Sequence, residues 1–176
     1  TFVIADNDGP SVSLMSPSNG AYIDAGSSVN ITWTATDNVA VVEEWVVVNG
    51  VHHHTAVSSF SWEVPNEVGS YQITAYAKDA AGHTGSSASR SVNVVEFPEI
   101  VTAAKKTNPF RIKLFGSDFQ PGCSVMIDGI VVEAKFKNSG KLLLKNAKSL
   151  CPKGVAVTIT VTNPDGGYSN GFEFIR

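Results

Sequence analysis

Charged residues are scarce in this sequence of 176 residues, and it has no long apolar run. Asp, Glu, Lys and Arg make up 16% of the chain, against roughly 25% in ordinary soluble domains. Apolar runs such as residues 46–48 and 142–144 are far shorter than the ~20 residues of a membrane-spanning helix. We therefore expect no membrane insertion. The hydrophobic fraction of 43% still suffices for buried cores, which excludes a wholly disordered chain.

Sequence motifs of familiar catalytic sites are also missing. Neither Gly-x-Ser-x-Gly, His-Glu-x-x-His, Cys-x-x-Cys nor a phosphate-binding Gly-x-x-x-x-Gly-Lys motif occurs. All four His lie in the first half and both Cys in the second, so Cys123 and Cys151 have no imidazole in their own half to activate them. Glu43 and Glu44 are adjacent on a predicted strand and point to opposite faces. We therefore predict that the chain is not an enzyme.

The distribution of charge divides the chain in two. Residues 1–96 carry ten acidic residues against Lys78 and Arg90, a net charge of −8. Residues 97–176 carry eleven basic residues against six acidic ones, a net charge of +5. Pro98 interrupts the strand pattern at the change. We predict two domains, 1–96 and 97–176.

Both halves show the two-residue periodicity of half-buried strands. Apolar and polar side chains alternate over residues 29–36 and again over 155–162. Asn49-Gly50 and Asp128-Gly129 are typical of two-residue hairpin turns, because Asn, Asp and Gly tolerate positive φ. Short strands with frequent turns and no helical repeat predict an all-β fold with one β-sandwich in each half.

Segments of the first half resemble the immunoglobulin (Ig)-like repeats of bacterial secreted and cell-surface proteins. The resemblance rests on residues 6–10 (DNDGP), 16–20 (SPSNG), 35–41 (ATDNVAV) and 78–87 (KDAAGHTGSS). It implies a non-catalytic, secreted or surface-exposed module. Residues 1–5 then resemble the last strand of a preceding domain. Because the chain opens without Met or a signal segment, we expect a part of a longer polypeptide whose flanking domains are its partners.

Segments of the second half resemble IPT/TIG domains. The matching residues are 115–119 (FGSDF), 121–129 (PGCSVMIDG) and 157–174 (VTITVTNPDGGYSNGFEF). The two resemblances together imply two tandem Ig-like β-sandwiches. Some IPT/TIG relatives belong to DNA-binding factors, but the lysines of this half lack an Arg-rich loop, a recognition helix or a series of stacking aromatics. We predict no nucleic-acid partner.

Trp45 is the tryptophan that the strand pattern places on an outer face. Trp33 and Trp62 occupy inward positions and are predicted core residues. If Val46 faces inward, Trp45 faces outward beside Tyr76 of another strand. Trp45 and Tyr76 could then form a small platform for a polysaccharide or a surface protein, or the second domain or a sheet edge could cover them.

Acidic and amide side chains are predicted to gather at one end of the first sandwich. They are Asp6, Asn7, Asp8, Asp37, Asn38 and Asp79. Calcium takes six to eight oxygen ligands in a flexible cage, and this set could supply several of them. The alternative is that these side chains cap their own turns by accepting backbone N–H bonds. Calcium is the cofactor that the sequence favours.

Two further pairs of residues leave alternatives open. His52 and His54 share one face of a predicted strand and could chelate a transition metal with a third ligand, or could belong to an exposed polar hairpin. Cys123 and Cys151 could form a disulfide, although sandwich topology places them towards opposite ends.

Two functions fit these observations. In the first, the chain is a structural spacer of an extracellular multidomain protein and positions neighbouring domains. In the second, it is a carbohydrate- or protein-binding module that uses the exposed aromatic side chains and the loop residues, with calcium assisting.

Overall fold

A computed structural model describes residues 6–176 as an all-β chain. The predicted strand in residues 1–5 lies outside the described residues. No helix long and apolar enough to cross a membrane occurs in the part that the structure describes. The chain divides into two compact units between Val94 and Val95. Each unit is described separately below.

The first unit consists of two β-sheets. Its strands are β1 (Ser11–Ser16), β2 (Tyr22–Asp24), β3 (Ser28–Thr36), β4 (Val41–Val48), β5 (Val51–Thr55), β6 (Ser59–Glu63), β7 (Gly69–Asp79), β8 (Thr84–Ser86) and β9 (Arg90–Val95). One sheet has the order β1-β3-β6, and the other has the order β2-β9-β7-β4-β5, with β8 paired to β7. The alternation of apolar and polar residues explains why the two sheets face each other, because each sheet has one apolar face that must be covered.

The core of the first unit lies between these two sheets. Ile31 and Trp33 of β3 are buried against Val46 of β4 and Ile73 of β7. The Trp33 indole Nε1 donates a 2.6 Å hydrogen bond to Glu44, which satisfies its one polar group. The inward positions predicted for Trp33 and Trp62 are confirmed, since they are 3% and 5% exposed.

The second unit is a separate pair of sheets with its own core. Its strands are β10 (Glu99–Thr107), β11 (Phe110–Ser117), β12 (Ser124–Ile127), β13 (Ile130–Val132), β14 (Ala134–Asn138), β15 (Lys141–Leu144), β16 (Ala156–Thr162) and β17 (Phe172–Ile175). The sheet orders are β10-β11-β15-β14 and β13-β12-β16-β17. Leu114 and Leu142 of one sheet and Val125 and Ile159 of the other belong to one buried cluster. The predicted fold class, two tandem Ig-like β-sandwiches, is confirmed.

Both predicted hairpin turns are present. Asn49 and Gly50 have φ of 48° and 84° between β4 and β5, and Asp128 and Gly129 have φ of 47° and 78° between β12 and β13. Positive φ at both central residues defines a type I′ turn, whose twist matches that of the flanking strands.

Candidate functional site

Trp45, Tyr76 and His54 form a row of stacked rings on the outer face of the larger sheet of the first unit. Trp45 lies opposite both Tyr76 of β7 and His54 of β5 in the strand register. The rings of Trp45 and Tyr76 have centroids 5.3 Å apart and are nearly parallel, with an interplanar angle of 4°. The His54 ring stacks on Trp45 at 5.8 Å. The structure thus brings together the two aromatic residues that the sequence singles out.

Stacking determines which ring surfaces of this row are free. The indole of Trp45 has Tyr76 against one face and His54 against the other, so it presents its edges outward. Beyond Tyr76, the cross-strand neighbour is Ser86, a small residue. On the other side, His54 Nδ1 lies 3.2 Å from the Glu43 carboxylate. A ring stacked on a sugar needs one uncovered face, and the face of Tyr76 towards Ser86 has no aromatic ring of this row against it.

The acidic residues predicted to bind calcium divide into two groups. In the first group, Asp6, Asp79 and His83 have potential ligand atoms within 4.8 Å of one another. His83 is absent from the sequence-based prediction. It follows Asp79 by four residues, and only the turn between β7 and β8 brings its ring to the Asp79 carboxylate. The Oδ2 atom of Asp6 is buried without a hydrogen-bond partner.

Asp79 is 1% exposed and caps its own turn. Its Oδ1 accepts hydrogen bonds from the backbone N–H of Gly82 at 2.6 Å and of His83 at 2.8 Å, and its Oδ2 lies 3.0 Å from His83 Nδ1. Burial by itself raises the pKa of the Asp79 carboxyl, but these hydrogen bonds and the His83 ring outweigh it, and the pKa lies below its usual value. The carboxylate therefore stabilises the turn between β7 and β8.

The second acidic group consists of Asp8, Asp37 and Asn38, which line a shallow depression of about 250 Å³ with Ser11 and Thr36. Asp37 Oδ1 accepts a 2.9 Å bond from the backbone N–H of Val39, the geometry of an Asx turn. Asp6 similarly accepts a 3.3 Å bond from the Asp8 backbone N–H. The turn-capping alternative is thus observed for Asp6, Asp37 and Asp79, and calcium binding stays a prediction.

An apolar groove of about 430 Å³ is a feature that the sequence does not reveal. It lies where β5 and β6 form the open edges of the two sheets, and its walls include His53, Phe60 and Tyr71. The rings of His53 and Phe60 stack there at 4.3 Å. Adjacent residues of a strand point to opposite faces, so His53 enters this groove while His54 joins the aromatic row.

The three residues between β9 and β10, Glu96–Pro98, are held by the second unit. The side-chain Nδ2 of Asn163 donates a 3.3 Å hydrogen bond to the Glu96 carbonyl oxygen. Gly167 approaches the same carbonyl so closely that a Cβ atom there would overlap it. Phe97 packs edge-on against the Tyr168 ring with centroids 5.2 Å apart, and Pro98 is buried. The linker is therefore part of the second unit's packing.

Cys123 and Cys151 are both free thiols. Cys151 is 0% exposed and belongs to the core of the second unit, and Cys123 packs partly buried against that core. Burial raises the pKa of both thiols above the usual value. Of the two alternatives left open by the sequence, the structure has the unbridged one.

Comparison with known proteins finds one family match, within the first unit. No curated protein matches the chain. Similar solved structures include the fibronectin(III)-like modules of CbhA from Clostridium thermocellum, at 18% identity and a TM-score of 0.49 with 94% of each chain covered. A further one is SGBP-B of the Bacteroides ovatus mixed-linkage glucan utilization locus, at 14% identity and a TM-score of 0.40 with 96% of this chain and 47% of that chain covered. The chitinase ChiA74 of Bacillus thuringiensis has 16% identity, a TM-score of 0.42 and coverage of 99% and 30%. Residues 10–75 match the family model described as Bacterial Ig domain, a class of typically non-catalytic modules of multidomain extracellular proteins.

Proposed function

We propose that this chain is a non-catalytic spacer of a secreted or cell-surface multidomain protein, in which a bacterial Ig-like module and an IPT/TIG-like module, residues 1–96 and 97–176, position neighbouring domains. The observation that carries the proposal is the anchored linker. A spacer fixes the positions of its neighbouring domains only when its own modules are joined by an ordered linker, because a flexible linker lets the attached domains move independently.

Three separate contacts order the linker against the second unit. The Glu96 carbonyl accepts the hydrogen bond of Asn163, the Phe97 ring packs on Tyr168, and Pro98 is buried. Ordering a residue costs roughly 1–2 kcal/mol of backbone entropy, which is already spent in a linker held this way. The linker is also only three residues long, from Glu96 to Pro98.

Amide-nitrogen NMR relaxation tests the spacer proposal, since it measures the rotational correlation time of each unit. We expect the two units of the natural sequence to give the same correlation time. A Gly-Ser-Gly-Ser insertion between Val95 and Glu96 should give each unit its own, shorter correlation time. The same insertion after Ala56, in the exposed turn between β5 and β6, adds equal mass and should leave the common correlation time unchanged. Separate tumbling of the two units in the natural sequence would contradict the proposal.

A second candidate function is binding of a polysaccharide or surface protein at the aromatic row of Trp45, Tyr76 and His54. The observation that favours it is the half-exposed stack itself, whose Tyr76 end faces the small Ser86. Aromatic side chains on an outer sheet face cost solvation free energy unless something covers them. In this arrangement Tyr76 contacts the ligand and Trp45 supports the Tyr76 ring from behind.

Affinity electrophoresis in gels containing neutral polysaccharide tests this candidate. Binding should retard the natural protein in the gel. Tyr76→Ala should raise the dissociation constant obtained from the retardation about tenfold. Trp45→Ala should lose less, because it removes support and no direct contact. Thr74→Ala changes the same outer face of β7 without touching the stack and serves as the control. Equal retardation of all four proteins would exclude the site.

Calcium assistance belongs to this second candidate and has its own test. Asp6 Oδ2, which is buried without a hydrogen-bond partner, would be a ligand of a cation bound beside Asp6. We expect millimolar calcium to raise the melting temperature of the first unit, and Asp6→Asn to remove that increase. His83 supplies a nitrogen atom in the same group, so zinc is the comparison ion. No increase with either ion would remove the cation from the proposal.

A further inference from the structure

The second unit contains a basic pocket of about 270 Å³, and we use that name for its six lining residues. They are Lys105, Thr107, Phe110, Lys148, Lys153 and Arg176. These residues come from β10, from the start of β11, from the loop between β15 and β16, and from the residue that follows β17. Segments distant in sequence thus place four cationic side chains around one concave surface.

The charges of this pocket are not neutralised within the described residues. No acidic side chain lines it, and no carboxylate of residues 6–176 lies within ion-pair distance of its four cations. Elsewhere in the same unit Lys145 pairs with Glu133, so this fold does neutralise a lysine where an acid is adjacent. Four unpaired positive charges around a cleft create a local potential that concentrates anions.

The guanidinium of Arg176 is held in place at the pocket wall. It lies over the Phe110 ring, 5.6 Å from the ring centroid, and its Nη1 donates a 3.2 Å hydrogen bond to the Lys148 carbonyl oxygen. The backbone N–H of Gly154 also bonds the Arg176 carbonyl oxygen, at 3.4 Å, which ties the Lys153 loop to the same residue. A planar guanidinium that is already ordered loses little entropy when it binds an oxyanion.

We propose that the basic pocket binds a sulfate or phosphate ester carried on a sugar unit of an anionic polysaccharide. A sulfate or phosphate monoester presents three terminal oxygens in a tetrahedral group, so it can accept hydrogen bonds from more of these four cations at once than the two coplanar oxygens of a carboxylate can. The volume lies just below the 300–1,000 Å³ range of drug-sized pockets and accommodates about one substituted sugar ring. The inference goes beyond the spacer role, which requires no ligand.

The pocket fits single-stranded nucleic acid poorly. Such sites present a series of aromatic faces on which successive bases stack. Phe110 is the one aromatic residue of this pocket, and Arg176 already covers its ring. Nucleic acid is therefore an outcome that the test must exclude.

Isothermal titration calorimetry with the full chain tests the proposal. The probes are a heparin-derived tetrasaccharide for sulfate esters, a glycosyl-phosphate oligomer for phosphate esters, the inorganic ions alone, and neutral dextran.

Lys148→Ala/Lys153→Ala removes two exposed cations of the pocket. Lys135→Ala/Lys137→Ala removes the same charge from β14, at the opposite edge of the sheet that contains Lys105. We expect the first double variant to weaken ester binding about tenfold or more and the second less than about threefold. Arg176→Lys should retain charge and still lose affinity.

The possible results separate clearly. Preference for the sulfated or the phosphorylated probe supports the proposal and identifies the source of the ester. Equal losses in the two double variants would show diffuse attraction to the net charge and overturn the site. Binding of inorganic ions as tightly as the esters would overturn the role of the sugar. Equally tight binding of a single-stranded oligonucleotide of matched charge, or no binding of any ester, would overturn the proposal as a whole.

Discussion

The side-chain amide of Asn163 donates a 2.7 Å hydrogen bond to the carbonyl oxygen of Asp118, a residue whose backbone has φ of 55°. Asn163 is 3% exposed, and its Oδ1 accepts a further bond from the backbone N–H of Gln120 at 3.1 Å. The same amide nitrogen reaches the linker carbonyl of Glu96. One buried side chain thus joins the loop after β11, the loop after β16 and the linker.

Replacing Asn163 by Ala should destabilise the second unit by about 1–2 kcal/mol, because it removes three part-buried hydrogen bonds, to Glu96, Asp118 and Gln120. Trp33, Trp45 and Trp62 are the three tryptophans of the sequence, and all lie in the first unit. Tryptophan fluorescence therefore follows the first unit, while far-UV circular dichroism follows both. We expect the variant to shift the circular-dichroism transition in urea and leave the fluorescence transition in place.

The matched control for this prediction is Asn138→Ala. Asn138 Oδ1 accepts an exposed bond from the Gly140 backbone N–H, and water replaces it easily. Its expected effect is within about 0.5 kcal/mol. Equal effects of the two variants would show that the buried network around Asn163 adds no stability.

Gly85 of β8 should tolerate no side chain. A Cβ atom at this position would overlap the backbone carbonyl of Pro10, although the φ of Gly85 is not in the left-handed region. We expect Gly85→Ala to cost at least about 3 kcal/mol, because main chain has to move. Gly50→Ala is the comparison, since it adds a Cβ in open space at φ of 84° and should cost only about 1–2 kcal/mol. Tryptophan fluorescence in urea measures both, and an equal cost would contradict the close approach.

The first unit should lose stability in acid through Asp79. Its pKa is lowered in the folded protein, so the carboxylate contributes stability above the unfolded value of about 3.9 and loses that contribution as the pH falls through the folded pKa. Asp79→Asn should therefore lower the urea midpoint of the fluorescence transition near neutral pH. The difference between the two proteins should shrink as the pH drops below about 4. A difference that stays constant down to the lowest pH would exclude the carboxylate as its source.

The two thiols should resist modification until the second unit unfolds. Burial raises the pKa of Cys123 and Cys151, which lowers the thiolate fraction at neutral pH. With a thiol-reactive disulfide reagent we expect slow labelling of the half-buried Cys123, no labelling of Cys151, and rapid labelling of both in denaturant. Rapid labelling of Cys151 in the native protein would contradict its burial.

Periodicity and turn chemistry are enough to predict strands, hairpin turns and the fold class. Residues 29–36 alternate in sequence and form β3 with Ile31 and Trp33 buried, since a two-residue period fixes which side chains share a face. Asn49-Gly50 predicts its hairpin for a similarly local reason. The two-residue phase likewise places Trp45 and Tyr76 on one outer face.

Such local patterns do not predict contacts between segments that are distant in the sequence. The phase of a strand gives the face of Trp45 but not the ring plane, so the stacking that covers both indole faces is visible only in three dimensions. His83 joins Asp79 through a turn geometry, and the basic pocket collects side chains from four segments of the second half. The sequence also places Asp8 and Asp79 in one set, whereas the structure assigns them to different groups.

The anchored linker has a consequence for resistance to proteases. A protease needs a mobile, extended stretch of chain that fits into its active-site cleft. Glu96 and Phe97 are engaged by Asn163 and Tyr168, so cleavage there first requires local unfolding. A protease would then cleave exposed turns before it could cleave the chain between the two units.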